Sequence, residues 1–128
     1  RQDVRAGDVL VSTVRHERRT IGVVPDWLDG AITTTGVAVL RPKNTDPFVL
    51  AALIASDYVT EQLRGQDMGI AYPTIDPGCL LDTMLPLNPQ EFPEVSELAA
   101  KVQKAAQYAR NARSAFDAAL QDALTEAN

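Results

Sequence analysis

Three arginines, one histidine and one glutamate fill the five positions "RHERR", Arg15 to Arg19. The guanidinium is a planar fork that binds a phosphate or the edge of a guanine through two hydrogen bonds. A cluster of them is therefore a candidate for anion or nucleic-acid contact, with Arg15, Arg18 and Arg19 first. The plainer alternative is a solvated hairpin tip. Thr33, Thr34 and Thr35, next to Gly36, can hydrogen-bond bases or phosphates, although threonine is also a strand former. Arg41 and Lys43 suit phosphate contact or simple loop solvation. Catalytic chemistry has little to work with. His16 is the single histidine and Cys79 the single cysteine, whereas the usual zinc site needs three or four such ligands. A Ser-His-Asp arrangement would have to run through His16 inside the arginine cluster, where no serine has an elbow motif. There is no Walker-type loop and no GxGxxG pattern. The chain reads as non-catalytic, without metal or cofactor.

The 128 residues are enough for one domain with its own core. Hydrophobic residues are 45% and charged residues 23%, an ordinary globular balance. A net charge of -5 opposes a nonspecific nucleic-acid binder, which would be basic, so any such role falls to a local patch. The longest apolar run, "FVLAALIA", is far short of the roughly 20 residues of a membrane span. The first residues are polar and do not read as a signal peptide. With one cysteine and no internal disulfide, the expectation is a cytoplasmic protein. Opening at Arg1, it reads as an excised fragment.

The elements that must position these groups differ in texture along the chain. "GDVLVSTV" begins with a turn pair and predicts a strand over Asp8–Val14. "TIGVVP" predicts a second strand stopped by Pro25, so the arginine cluster becomes the tip of a hairpin. Asp29-Gly30 is a turn signal, and "AITTTGVAVLR" is strand material bent or bulged at Gly36. Asp46-Pro47 is a helix start, with aspartate as N-cap and proline at the first helical position. The helix is expected to run to Gly65 as C-cap, with Leu50, Leu53, Ile54 and Val59 at helical spacing. "GQDMGIAYPTID", Gly65 to Asp76, is neither helix nor strand, and "CLLDTMLPLN" reads as a short strand broken by Pro86. The fold class is α+β: a small mixed or antiparallel sheet with one packed helix over residues 1–90, then a coiled-coil-like helix over residues 91–128.

That last helix, from about Pro93 to about Ala127, spans about 50 Å at 1.5 Å per residue. Val95, Leu98, Val102, Ala105, Ala109, Ala112, Phe116, Ala119 and Ala123 recur at steps of three and four, a heptad seam rich in alanine. No second long helix follows in this sequence. The expected partner is a second copy, giving a homodimer, or another long helix outside this chain.

The pieces together resemble the target-recognition domain of type I restriction-modification specificity subunits. The resemblance rests on "AGDVLVSTVR", "IGVVP", "LDGAITTTGVAVLRPK", a helix, "GIAYPTID", "LLDTMLPLNPQE" and a long helix, in that order over nearly all of the chain. Two departures stand out. "LPLNPQEFPE" lacks the Glu-Gln pair that usually follows the proline motif, and on this resemblance the chain is expected to start inside the usual domain, without its first strands. The resemblance implies duplex-DNA binding and the reading of a half-site. It implies long helices that set the spacing of half-sites and dock an adenine methyltransferase subunit, which carries the methyl donor and the catalysis. The chain could be half of such a subunit, a fragment, or the recognition tail of an adenine-specific methyltransferase. On this resemblance Met68, Ile70 and Ile75 tuck inward, while Tyr72 and Thr74 face outward toward DNA or half-cover the core. The alternative from a different class is a protein-interaction module. There Leu98, Val102, Ala105, Ala109, Ala112 and Phe116 carry the function and the globular part is scaffold.

Overall fold

The computed structural model describes residues 2–15, 18–63 and 92–127. At Gly7 the chain turns sharply: the Asp8 N–H donates to the Arg5 carbonyl at 3.0 Å, and Gly7 sits at φ +87, a conformation that favours glycine. The strands around this turn are β1 Gln2–Asp3 and β2 Val9–Ser12. β2 pairs antiparallel with β3 Ile21–Val23, placing Val9 opposite Val23 and Val11 opposite Ile21, so the hairpin forms as the sequence predicts. A one-turn 3-10 helix, Asp26–Leu28, follows Pro25, and Gly30 at φ +85 completes the Asp29-Gly30 turn.

The predicted third strand is two strands in two sheets. β4 Ile32–Thr33 pairs antiparallel with β1, and β5 Val37–Leu40 pairs antiparallel with β2. Between them a turn is closed by the Val37 N–H on the Thr34 carbonyl at 3.4 Å, so the bend at Gly36 becomes a corner. The main sheet has the order β3-β2-β5.

Side chains on β2 alternate as a pleated strand requires: Val9 and Val11 are buried, Leu10 and Ser12 half-buried. With Ala38 they form one apolar face. Against it lies α1, Pro47–Ala55, started by Asp46 as foreseen, whose carboxylate accepts from the Phe48 N–H at 2.8 Å. The expected single helix to Gly65 breaks at Ser56. Its backbone is extended there (ψ 157), and α2 begins at Asp57 and is described to Leu63. Ser56 serves both ends: its N–H and hydroxyl donate to the Leu53 carbonyl at 3.1 and 2.6 Å, and its carbonyl accepts the Thr60 N–H at 3.0 Å. Serine followed by an acid is a helix-start pattern, and here it wins over continuation. Gly65 and the predicted strand near Pro86 lie outside the described residues.

α1 is apolar on nearly every side because it is covered twice. Ala51 and Ile54 pack with Val9, Val11, Ala38, Val59 and Leu63 in one core cluster. Ala52 and Leu53 pack with Val95 and Ala99 in another. A helix without a polar face is one with neighbours on both sides. Those second neighbours belong to α3, Pro93–Glu126, a 34-residue helix with Pro93 in its first turn. Among the described residues no helix is long and apolar enough to cross a membrane.

Candidate nucleic-acid interface

The β2–β5 register decides which polar groups meet. Ser12 lies opposite Val37 and Val9 opposite Leu40. The corner Thr34–Gly36 therefore stands at the same end of the sheet as the arginine tip. Two bonds fix this neighbourhood: the backbone N–H and the hydroxyl of Thr13 both donate to the Gly36 carbonyl at 3.1 Å. Arg15, Arg18, Arg19, Thr34 and Thr35 thus share one end of the sheet, and Thr33, half-buried on β4, adjoins them. Gln2, opposite Thr33, ties the small sheet in by donating to the Val37 carbonyl at 2.9 Å. Arg41 and Lys43 follow the other end of β5, about 13 Å away for four residues of strand.

The tip has an unusual backbone. Arg15 and Arg19 lie at φ 51 and 53, left-handed values that non-glycine residues adopt at a cost of about 1–3 kcal/mol. The Arg18 N–H donates to the Arg15 carbonyl at 3.0 Å. Arg18 is exposed, and Arg15 is half-buried. Arg19 is drawn to the start of α2, where its Nη2 meets the Asp57 carboxylate at 2.6 Å, with side-chain exposures of 40% and 80%. His16 lies outside the described residues, as do Tyr72 and Thr74.

At the opposite end the chemistry is different. Asp8 is 1% exposed and accepts from Arg41 Nε and Nη2, each at 2.8 Å, and from the Arg5 N–H at 2.8 Å. Hydrogen bonding from Arg41 holds the Asp8 carboxyl below the usual carboxylate range, against the opposing push of burial. The same pairing raises the Arg41 guanidinium further. The "GD" that opens β2 and the "RP" that closes β5 are therefore two halves of one ion pair. Sequence reasoning took the first as a turn and Arg41 as a phosphate contact or loop charge, whereas its guanidinium is engaged by Asp8. The available signal was an acid at the first buried position of an apolar strand, which demands a cation nearby.

The long helix also departs from its seam. Leu98 is half-buried against α1 and Val102 is half-buried, whereas Ala105, Ala109, Ala112 and Phe116 are exposed, Phe116 at 66%. The face toward the body runs Val95, Ala99, Val102, Ala106, Arg110 and Arg113, also at steps of three and four. From Ala106 on it lies one residue, about 100° of turn, from the seam. The seam thus begins on this chain's own α1, which the sequence reading did not foresee.

The solved structures fit this architecture. The crystal structure of the HsdS subunit from Thermoanaerobacter tengcongensis matches with a TM-score of 0.63 and 33% identity, over 94% of this chain and 31% of that one. A chain from a structure on complex assembly and conformational transition of the type I R-M system matches with a TM-score of 0.63 and 32% identity, over 95% and 32%. This chain is similar to type I restriction-modification specificity subunits. It spans about a third of the length of the two HsdS-like chains. No family model matches it, and no curated protein does. The HsdS likeness covers the sheets and the long helix alike, since it takes in 94% of the chain.

Proposed function

We propose that this chain is a non-catalytic specificity module that reads a half-site in duplex DNA and directs an adenine methyltransferase subunit or fused domain. The observation that carries the reading is the likeness to HsdS at 33% identity over 94% of the chain. The geometry supports it. A two-stranded ribbon fits the major groove, and the β2–β3 hairpin carries Arg15, Arg18 and Arg19 at its tip with Thr33, Thr34 and Thr35 beside it. In this reading the tip contacts base edges and near phosphates, while Lys43 reaches flanking phosphate and Arg41 stays with Asp8. Tyr72 and Thr74 are assigned to the same surface from the sequence alone. The exposed seam of the long helix, Ala105, Ala109, Ala112 and Phe116, takes a second long helix, from another copy or a larger chain. Residues 1–90 form the reading domain and residues 91–128 the pairing helix.

The test is selection of bound duplexes from a random pool at fixed, moderate salt, comparing the parent with a triple variant of the tip. Arg18→Ala is combined with Arg15→Asn and Arg19→Asn, because asparagine tolerates the left-handed backbone. The expected result is a motif enriched by the parent and lost by the variant. Enrichment of the same motif by both would overturn the tip as the reader.

A further inference from the structure

The long helix meets the body in two ways. Over its first turns the contact is apolar: Val95 and Ala99 are buried against Ala52 and Leu53, with Leu98, Phe48 and Val49 around them. Beyond Val102 that packing gives way to a cleft of about 220 Å³ lined by Val24, Pro25, Trp27, Pro47, Phe48 and Ala106. Apolar contact acts only at van der Waals range, so an open gap cannot fix the angle of the helix across it. Two cationic side chains bridge the far side. Arg110 Nη2 reaches the Asp26 carboxylate at 3.0 Å, an exposed pair (52% and 72%) that is weak by itself. The Arg113 guanidinium lies over the half-buried Trp27 ring, 5.3 Å from its centre. The hold on the helix comes from the two contacts together, where no packing opposes a swing. Arg110 and Arg113 are three apart and face the same way. Asp26 and Trp27 are adjacent on the 3-10 helix, which Pro25 starts and whose Leu28 carbonyl holds the Ala31 N–H at 3.0 Å. A short, rigid pair of partners thus receives two arginines from one helix face.

We propose that Arg110 and Arg113, held by Asp26 and Trp27, are positioning residues that set the direction in which the long helix leaves the body. They thereby determine the spacing between half-sites, which rests on the DNA-reading role proposed above. The distal helix is a lever. At 1.5 Å per residue, a swing of about 10° about Val102 moves residue 124 by about 6 Å, close to two base-pair steps of about 3.4 Å. A helix whose direction is loose cannot hold a fixed spacing between two reading ends.

The experiment has two arms. In the first, spin labels on Ile32→Cys and Gln121→Cys, in a Cys79→Ser background, report the distance from body to distal helix without DNA. The parent gives one narrow distribution. Arg110→Ala with Arg113→Ala broadens and shifts it by several ångströms, with the helix content by circular dichroism unchanged. Exchanging the charges, Asp26→Arg with Arg110→Asp, narrows it again. A double-alanine distribution that overlays the parent overturns the clamp. In the second arm, selection of two-part sites compares the same proteins. The expected outcome is an unchanged half-site motif with spacings spread by one or two base pairs in the double-alanine variant. A spacing as sharp as the parent's, with the distance already broadened, overturns the spacing role and leaves the reading role standing. Failure of the parent to enrich any motif removes the reading role, and the spacing role with it, whatever the labels show.

Discussion

Two arginine–aspartate pairs stand at opposite ends of the same three-stranded sheet. At one end, Asp8 is 1% exposed and takes both Nε and Nη2 of Arg41. At the other, Asp57 is 80% exposed and takes Nη2 of Arg19. The chemistry is the same and the surroundings are not. A buried carboxylate needs its partner, because water cannot replace it. An exposed one is solvated whether or not the arginine is there, and such pairs contribute roughly 0–1 kcal/mol. The first pair therefore belongs to the architecture, joining the start of β2 to the end of β5. The second leaves its arginine available to an outside anion at little expense to the fold.

The comparison is most severely tested by removing one partner at a time from the buried pair. Arg41→Ala strands the Asp8 carboxylate in the protein, whereas Asp8→Asn leaves Arg41 with water, since its side chain is 59% exposed. Asp8→Asn is expected to lower stability by about 2 kcal/mol, the scale of hydrogen bonds to a charged group. Arg41→Ala should lower it further, although Arg41 is the more exposed residue. Urea unfolding of the two variants decides the order, and a smaller loss for Arg41→Ala would break the asymmetry.

Acid is a gentler probe of the same pair. The folded Asp8 carboxyl is depressed below its unfolded value, chiefly by Arg41's hydrogen bonds. Its contribution is therefore fully present above the unfolded carboxylate pKa of about 3.9 and is lost as pH falls through the lower folded value. Stability curves of parent and Asp8→Asn should keep a constant gap well above about pH 4 and converge as the pH drops below it. A constant gap down to the acid transition would mean that the charge of Asp8 is not what holds the two strands.

Why these pairs escaped the sequence is physical rather than accidental. Strand alternation at Val9 and Val11, the Asp46-Pro47 start and the length of the last helix are local, and their periods stand in the sequence. The hairpin followed from two strand-like runs around a polar tip. The pairs joining Asp8 to Arg41, Arg19 to Asp57 and Arg110 to Asp26 cross 33, 38 and 84 positions, and no local pattern carries such information. The helix seam shows the same limit from the other side. A heptad reading weighs apolar residues, so it found the stripe through Ala105, Ala109, Ala112 and Phe116, which is exposed. It passed over the stripe through Arg110 and Arg113, whose partners are an acid and an aromatic ring on a distant turn. The break at Ser56 was legible in principle, since Ser-Asp is a helix-start pattern inside an apolar run, but the run itself outweighed it.

The smallest expected effect on stability sharpens the comparison most, because it is paired with an effect on binding. Arg19→Asn keeps a residue that tolerates φ 53 and removes the guanidinium. In a double-mutant cycle with Asp57→Ala, the coupling should stay below about 1 kcal/mol. Binding to a selected duplex should respond differently. If Arg19 neutralises one phosphate, the slope of log K against log salt should fall by about 0.9 in Arg19→Asn. Asp57→Ala should leave that slope intact, since it removes a competitor and no contact. Arg41→Ala would then lose stability chiefly, and Arg19→Asn would lose binding chiefly, from two pairs of the same residue types. A strong coupling between Arg19 and Asp57 with an unchanged salt slope would instead make both ends of the sheet architectural and move the search for the DNA-facing surface away from the hairpin tip.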